Sequence, residues 1–247
     1  MSVLIEVDRL TKSFGPFIAV DDINFSLKRG EVLGFLGPNG AGKTTTMRMI
    51  TGFLSPTKGR ISVCGHDVSE NPIEIKEKIG YVPEGAPLYG EMTVMNFLKF
   101  IAEIRKIPKD KVDNAIHSAI KKLGLELVLY QQVETLSKGY KRRVGLSQAI
   151  IHDPDVLILD EPTDGLDPNQ KHEVRRLIKE MSSTKAIIIS THILEEVDAV
   201  CTRAMIIAKG RMIVDKSPKD LLLGSPKGAS LDDVFRTLTI GNSGDNK

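Results

Sequence analysis

Short apolar runs alternate with amphipathic helical patterns along most of the chain. The clearest runs predict β-strands, and these are Val32–Leu36, Ile79–Val82, Val156–Asp160, Ala186–Ser190 and Arg203–Ala208. Runs of this length, separated by helical segments, are typical of a mainly parallel sheet with helices on its faces. We therefore predict an α/β fold.

Two regions depart from this alternation. Residues 23–30, INFSLKRG, alternate like a half-exposed antiparallel strand, and residues 4–10, LIEVDRL, are suited to pair with it. Between about residues 88 and 152 the strand patterns stop, and apolar side chains such as Phe97 and Ile101 recur at helical spacing. The pattern predicts an antiparallel β subdomain at the N-terminus and a helical subdomain inserted between two sheet-bearing halves.

Composition and charge exclude several classes of protein. The 247 residues are 41% hydrophobic and 27% charged, which is ordinary for a globular chain with a sizeable core. The 34 basic and 32 acidic residues leave a net charge of +2, so no nucleic-acid partner is expected. The two cysteines, Cys64 and Cys201, fit neither a disulfide framework nor a metal-ligand spacing, so a reducing cytoplasm is the expected location.

Neither a signal peptide nor a membrane span is predicted. The first ten residues, MSVLIEVDRL, carry acidic residues inside their apolar stretch, which is unfavourable in a signal sequence. Apolar runs such as VLIL and AIII fall far short of the roughly 20 residues that cross a bilayer. The chain would therefore act at a membrane only through a partner. The polar residues 241–247, GNSGDNK, are predicted to be disordered.

The segment GPNGAGKT fits the phosphate-loop pattern G-x-x-x-x-G-K-[ST], and it follows a predicted strand and precedes a helix. Its glycines allow backbone N–H groups to face a β-phosphate next to the positive end of the helix. Lys43 is expected to bridge the β- and γ-phosphates, and the Thr44 hydroxyl to ligate Mg²⁺. The alternative is a glycine-rich turn without a ligand, which the filled pattern and its context disfavour. The candidate nucleotide-binding residues of this segment are Gly37, Pro38, Asn39, Gly40, Ala41, Gly42, Lys43, Thr44 and Thr45.

A pair of carboxylates ends the predicted strand in VLILDE. Ligands of open α/β sheets bind at the carboxyl ends of the strands, where this pair lies. Asp160 is placed to hold Mg²⁺ through water, and Glu161 to orient or deprotonate an attacking water. The alternative, an exposed pair that caps the next loop, is disfavoured because the chain also carries a phosphate loop.

Residues 136–168, LSKGYKRRVGLSQAIIHDPDVLILDEPTDGLDP, place a Ser-x-Gly helix start upstream of this acidic strand. Together with the phosphate loop, the segment resembles the ATP-binding subunit of an ABC transporter, and the resemblance covers nearly the whole chain. It implies a P-loop NTPase (RecA-like) core, ATP and Mg²⁺ as cofactors, and a single ABC ATPase domain over residues 1–240. By the resemblance, the core spans about residues 1–87 and 153–225, the helical subdomain about residues 88–152, and a C-terminal helix about residues 230–239.

The resemblance assigns a signature motif that acts on the ATP of a second subunit. Ser137, Lys138 and Gly139 would form it, and Asp167 would lie in the loop that couples the two sites. The family's commonest form is LSGGQ, so Lys138 and Tyr140 are departures that keep the hydroxyl and the small residue. An ordinary helix N-cap is a compatible alternative for Ser137. We interpret the basic run that follows, KRR, as a solvated helix face rather than a nucleic-acid site.

Further roles follow from the same resemblance. His192 matches the switch histidine that contacts the γ-phosphate, and it joins Glu161 as a catalytic candidate. Phe14 matches the aromatic that stacks on adenine, for which a packed core aromatic is the alternative, and Val20 is a second candidate beside the nucleotide. Stacking favours any base, so weak discrimination between ATP and GTP is expected.

Position 84 departs from the family. The segment IGYVPE ends in Glu84 where these proteins usually carry Gln. A carboxylate can still ligate Mg²⁺ directly or through water, so the expected metal ligands are Thr44, Glu84 and Asp160. Glutamate cannot donate the amide hydrogen bonds of Gln, so transmission to a membrane partner is expected to differ.

The resemblance implies an ATPase that dimerises around two ATP–Mg²⁺ and drives a separate transmembrane permease subunit from the cytoplasmic face of the membrane. A homodimer suffices because every motif is present in one chain, and a paired ATPase subunit is the alternative. Two analogies favour an exporter: no large regulatory domain follows the core, and residues 229–239, ASLDDVFRTLT, resemble a stretch of ATPases whose exporters have short membrane subunits. The rival functions are a non-transport ABC ATPase of the translation or DNA-repair type and a nucleotide-sensing regulatory module.

Overall fold

The computed structural model describes residues 2–85, 87–223 and 230–240, with the backbone alone at residues 239 and 240. The strands are β1 (Val3–Phe14), β2 (Phe17–Lys28), β3 (Val32–Leu36), β4 (Lys58–Val63), β5 (His66–Asp67), β6 (Ile79–Val82), β7 (Val156–Asp160), β8 (Ala186–Thr191), β9 (Arg203–Ala208) and β10 (Arg211–Lys216). The helices are α1 (Lys43–Ile50), α2 (Pro72–Lys78), α3 (Val94–Ile104), α4 (Lys109–Leu123), α5 (Lys138–Ile150), α6 (Pro168–Ser182), α7 (Leu194–Val200), α8 (Pro218–Leu223) and α9 (Leu231–Ile240). Short 3₁₀ turns lie at Glu126–Val128 and Val133–Thr135.

A six-stranded sheet forms the centre of the fold. Its order is β10-β9-β3-β8-β7-β6, with parallel pairing except between β9 and β10. Strands β3, β7 and β8 are buried along their whole lengths, as parallel strands are when both faces of their sheet are covered. All five strands predicted from the sequence are present, and the predicted α/β fold is confirmed.

The register of this sheet brings three strand ends to one edge. Leu36 of β3 pairs with Thr191 of β8, and Asp160 of β7 pairs with Ser190 of β8. The loops that follow β3, β7 and β8 therefore leave the sheet side by side. This is the edge at which open α/β sheets bind ligands.

A second, antiparallel sheet in the order β2-β1-β4-β5 packs against the central one. Val7 of β1 pairs with Phe25 of β2, so the predicted antiparallel pairing of the N-terminal segments is confirmed. Phe25 also meets Phe35 of β3 edge to face, with ring centroids 5.4 Å apart, in the apolar core that surrounds α1. Strands β4, β5 and β10 were not identified from the sequence.

Helices α3, α4 and α5 lie between β6 and β7, so the predicted helical insertion is confirmed. The side chains of Phe97, Leu98, Ile116 and Val144 are buried in its core. Ile104, the last residue of the apolar pattern on α3, is instead exposed. The exact limits of the subdomains stay a prediction.

The C-terminal part of the chain covers one side of the central sheet. Val234 of α9 and Leu221 of α8 pack in one apolar cluster with Leu194 of α7, and α9 corresponds to the predicted C-terminal helix. The segment predicted to be disordered, 241–247, lies outside the described residues. Within the described ranges, no helix combines the length and the apolar character needed to cross a bilayer.

Replacing Gly80 with alanine is expected to destabilise the contact between β6 and α5. A Cβ at position 80 would lie 2.1 Å from the carbonyl oxygen of Ala149 and 2.9 Å from Leu157 Cδ2, so the backbone of α5 would have to move. Overpacking of this kind costs about 1–3 kcal/mol. Thermal unfolding should show a Tm lower by roughly 2–4 °C for each kcal/mol, whereas the surface variant Lys179→Ala should unfold like the wild type. An unchanged Tm in Gly80→Ala would contradict the tight packing described for this contact.

Candidate functional site

The phosphate loop joins β3 to α1 and takes its shape from its glycines. Gly42 caps α1 with a φ of 104°, a left-handed conformation that side chains disfavour. A Cβ at this position would also lie 2.5 Å from the carbonyl oxygen of Ala19. Position 42 therefore requires glycine for two independent reasons, and the loop keeps a backbone cradle that a side chain would fill.

Lys43 begins α1 and folds its side chain back over the loop. Its Nζ donates hydrogen bonds to the carbonyl oxygens of Gly37 at 2.7 Å and Pro38 at 3.2 Å, and the residue is buried. Burial lowers the pKa of Lys43, and the carboxylates of Glu161 and Asp160 act in the opposite direction. The ammonium therefore lies over the loop within electrostatic reach of the acidic strand end.

Asp160 ends β7 and is almost fully buried between two hydroxyl groups. Its Oδ2 accepts a hydrogen bond from Thr44 Oγ1 at 3.1 Å, and its Oδ1 accepts one from Ser190 Oγ. A carboxylate tolerates burial only when such donors replace its water. The contact joins the start of α1 to the end of β7, and it places two of the three expected metal ligands, Thr44 and Asp160, next to each other.

Glu161 and His192 face each other at the ends of β7 and β8. Nδ1 of His192 lies 3.1 Å from both carboxylate oxygens of Glu161. Glu161 has a φ of 49°, which is uncommon for a residue other than glycine, and its backbone N–H donates to Ser190 Oγ at 3.1 Å. Backbone strain of this kind is concentrated at functional sites because the surrounding structure must hold it in place.

These groups open onto one cleft of about 750 Å³. The residues that line it are Phe14, Phe17, Ala19, Asn39, Gly40, Ala41, Gly42, Lys43, Thr44, Thr45, Glu84, Asp160, Glu161, Asp164 and His192. Most of the predicted nucleotide, catalytic and metal residues therefore meet in one place. Gly37 and Pro38 contribute carbonyl oxygens to Lys43 instead of lining the cleft. Val20 is 0% exposed in the core, and the structure places its neighbour Ala19 at the cleft instead.

The tip of the β1–β2 hairpin presents two aromatic rings to the cleft. Phe14 and Phe17 pair across the two strands and are 50% and 63% exposed. The Nζ of Lys12 lies 5.3 Å from the centroid of the Phe14 ring. A half-exposed ring does not fit the alternative of a packed core aromatic for Phe14. Phe17 was not predicted from the sequence, although two aromatic residues on either side of a Gly-Pro turn were a usable signal.

The predicted signature residues lie outside the wall of this cleft. Ser137 is the N-cap of α5, where its Oγ accepts a hydrogen bond from the backbone N–H of Tyr140 at 3.4 Å. Gly139 is buried against Gln170, and a Cβ on it would lie 2.3 Å from Gln170 Oε1. Asp167 caps α6 and accepts from the backbone N–H of Gln170 at 2.9 Å. The N-cap alternative for Ser137 is therefore correct. The approach of Gly139 to Gln170 brings the start of α5 into contact with the start of α6.

Lys138 and Asp164 connect the signature segment to the cleft. Lys138 Nζ lies 3.5 Å from Asp164 Oδ2, and both side chains are largely exposed. Asp164 lines the cleft, so this weak surface ion pair runs from the first residue of α5 to the cleft wall. Asp164 was not predicted as a site residue, because its place at the cleft depends on a loop conformation that residue spacing does not specify.

Buried Glu196 of α7 connects the segments that follow β7 and β8. Its carboxylate accepts hydrogen bonds from Thr191 Oγ1 at 2.8 Å and from Thr163 Oγ1. Burial raises the pKa of Glu196, and the hydrogen bond from Thr191 acts in the opposite direction. Thr191 directly precedes His192, and Thr163 lies two residues after Glu161. The segments that carry Glu161 and His192 are therefore joined through hydrogen bonds to the same Glu196 carboxylate.

The oxygen ligands of the cleft suit Mg²⁺. The Thr44 hydroxyl and the Asp160 carboxylate are in contact, and Glu84 lines the same cleft. Among the residues described, no group of three or more His, Cys, Asp or Glu could hold a metal ion by itself. Mg²⁺ usually binds through one or two carboxylates together with substrate phosphates and water. The residues therefore fit a metal that arrives with a nucleotide.

The sequence is similar to known families and proteins. The model of the ABC transporter family matches residues 20–164. The uncharacterized ABC transporter ATP-binding protein YhcH of Bacillus subtilis is 37% identical, over 89% of this chain and 72% of its own length. The Nod factor export ATP-binding protein I of Cupriavidus pinatubonensis is 34% identical, over 95% of this chain and 72% of its own length. The chain spans 38% of the longer YbhF protein of Escherichia coli, to which it is 36% identical.

A solved structure has the same architecture. The structure described as the ATP-binding subunit of an ABC transporter matches with a TM-score of 0.88 at 30% identity. The match covers 95% of this chain and 99% of the other. The P-loop NTPase core with its antiparallel and helical subdomains is thereby confirmed.

Substitutions at Glu84 are expected to separate nucleotide binding from turnover. Glu84→Gln should keep ATP binding, since the phosphate loop is untouched, and Glu84→Ala should weaken Mg²⁺-dependent hydrolysis because an oxygen ligand is lost. ATPase rates across a Mg²⁺ titration, with binding of a fluorescent ATP analogue in parallel, measure both effects. The exposed neighbour Glu91→Ala serves as the control. An ATPase rate in Glu84→Ala equal to the wild type would remove Glu84 from the site.

Proposed function

We propose that two copies of this chain, which belongs to the ABC transporter family, enclose two ATP–Mg²⁺ and drive a separate membrane-spanning subunit. Proteins of this family are ATPases, and ATP binding and hydrolysis are the activity of this chain. The observation that carries the proposal is the convergence of Lys43, the Thr44–Asp160 contact and the Glu161–His192 contact on one cleft.

The proposed chemistry is attack of water on the γ-phosphate of ATP. Loop N–H groups and Lys43 would bind the β- and γ-phosphates, and Glu161 would orient or deprotonate the water. His192, 3.1 Å from the Glu161 carboxylate, would hold that carboxylate and contact the γ-phosphate. Mg²⁺, when bound, supplies positive charge beside the phosphates. The half-exposed Phe14 would stack on the base with little selectivity.

A second copy of the chain would complete each site. Ser137 and Gly139 do not line the cleft of their own chain, and they lie at the start of α5, the helix end that favours an anion. We propose that they contact the γ-phosphate bound by the other copy. Asp167, at the start of α6, would reach across the same interface. Closure around ATP and opening after hydrolysis would then move the two helical subdomains together and apart.

A separate groove of about 1150 Å³ is the proposed docking site for the membrane subunit. Its apolar wall includes the exposed side chains of Phe53 and Ile104, which are 70% and 56% exposed. Pro83 and Pro87 also line it, so an occupant would contact the segment that carries Glu84 into the nucleotide cleft. The charged lining residues are Arg48, Lys76, Lys78, Arg105, Lys106 and Lys111, with Glu77 and Asp153. The chemistry suits a short amphipathic helix with apolar and acidic side chains.

Export from the cytoplasmic face is the proposed direction of transport. The relative from Cupriavidus pinatubonensis is named for export of Nod factor, and it aligns with 95% of this chain. The stretch ASLDDVFRTLT also resembles the C-terminal stretch of exporter ATPases, and part of it forms α9. These two similarities support an exporter whose membrane subunit would select the substrate.

Replacing Glu161 with glutamine is expected to trap an ATP-bound dimer. The amide keeps the shape of the side chain but cannot deprotonate water, so ATP would bind without being hydrolysed. Size-exclusion chromatography with light scattering, at saturating ATP and Mg²⁺, should show a dimer for Glu161→Gln. The dimer of the exposed control Glu126→Gln should be shorter-lived, because it hydrolyses its ATP, and so a smaller fraction should elute as dimer. A Glu161→Gln variant that stays monomeric would argue against self-pairing and favour a different partner ATPase.

Placing a charge in the docking groove is expected to separate the chain from its membrane partner. Affinity capture of the tagged chain from mildly solubilised native membranes, followed by mass spectrometry, should recover a stoichiometric multi-span protein. Phe53→Asp should lose this protein and keep the basal ATPase rate, because the groove is distinct from the cleft. Leu127→Asp, at an 84% exposed apolar position outside the groove, is the matched control. A soluble partner instead would favour a non-transport ABC ATPase.

A further inference from the structure

Arg142, in the first turns of α5, extends its guanidinium to the edge of the central sheet. It donates hydrogen bonds to the carbonyl oxygens of Asp160 at 2.6 Å, Pro162 at 3.1 Å and Pro83 at 3.3 Å, and to that of Glu161. Three of these acceptors belong to consecutive residues that include both carboxylates of the strand end. The fourth directly precedes Glu84.

The chemistry of this contact requires arginine. A guanidinium presents five N–H donors in a rigid plane, whereas the ammonium of lysine is a compact point charge on a flexible stem. Burial lowers the pKa of Arg142, and the carboxylates of Asp160, Asp164, Glu161 and Glu84 act in the opposite direction. All four hydrogen-bond acceptors are backbone oxygens, so the guanidinium fixes the course of the chain and leaves the carboxylates directed elsewhere.

The backbone at Glu161, which Arg142 contacts, keeps its conformation only with support from its surroundings. Glu161 has a φ of 49°, and a non-glycine residue keeps such a conformation only when its surroundings impose it. Ser190 holds the N–H of Glu161, and Arg142 holds its carbonyl oxygen. The peptide groups on both sides of the Glu161 Cα are therefore fixed, and with them the direction of the carboxylate toward His192.

We propose that Arg142 is a positioning residue, which holds Glu161 and the segment before Glu84 in place and ties both to α5. The inference rests on the proposed function, in which Glu161 acts on water and the start of α5 contacts the ATP of the other copy. Ser137 caps the same helix one turn before Arg142. Movement of the strand end on hydrolysis would be passed along α5 to the residues that cap the second ATP, and this would couple the two sites.

The test compares Arg142→Lys and Arg142→Ala with the same substitutions at Arg143. Arg143 is the matched control because it is the next residue on α5 and donates to the carbonyl oxygen of Leu123 at 3.4 Å, away from the strand end. A displaced catalytic group lowers kcat by about tenfold to a hundredfold, so this loss is expected in both Arg142 variants. ATP affinity should stay near that of the wild type, since the phosphate loop is untouched. Arg142→Lys should also keep the wild-type Tm.

Two results would overturn the proposal. A kcat in Arg142→Lys and Arg142→Ala close to that of the wild type would show that the carbonyl contacts do not position Glu161. A parallel loss of kcat, ATP affinity and Tm in Arg142→Lys would show that the contacts only support the fold. Glu161→Gln is assayed alongside, because hydrolysis that persists in that variant would contradict the proposed function rather than the role of Arg142.

Discussion

The parallel register of β3, β8 and β7 is the constraint on which the rest of the site depends. It sets Leu36 beside Thr191 and Asp160 beside Ser190, so that three loops leave the sheet at one edge. These strands are buried on both faces, and neighbouring residues pack in different apolar clusters, so a slip in register by one residue would move each side chain into the other cluster and disrupt the packing of both. Hydrophobic packing therefore brings the phosphate loop, the carboxylates and His192 to one edge of the sheet, and the polar contacts there hold their backbone in place.

At this edge, Lys43, Arg142 and Asp160 are paired with dipoles rather than with opposite charges. Lys43 and Arg142 donate to carbonyl oxygens, and Asp160 accepts from the hydroxyls of Thr44 and Ser190. Breaking a buried ion pair would leave an uncompensated charge and carry a large cost. A nucleotide and its metal can therefore meet the lysine and the carboxylate without first separating two opposite charges.

The sequence predicted the features that depend on local pattern. The five buried strands, the N-terminal hairpin and the helical insertion were found by periodicity, but β10 was missed because RMIVDK is an edge strand with polar ends, held by pairing with β9. The phosphate loop could be located by spacing alone. Val20 was named as a candidate although its neighbour Ala19 lines the cleft, because neighbouring residues on a strand face opposite sides and a pattern does not show which side meets the cleft. The interpretation of KRR as a solvated helix face was wrong for Arg142, because tertiary packing buries its guanidinium against the strand end.

Glu196 limits how freely this chain can vary between relatives. Surface loops usually accept insertions and deletions because each moves independently of the others. Here the hydroxyls of Thr163 and Thr191 meet on one buried carboxylate, so a change of length after β7 would disturb the segment after β8. The two segments are therefore expected to change together in evolution. A chimera that takes the segment after β7 from a divergent relative would also need the segment after β8 from the same relative.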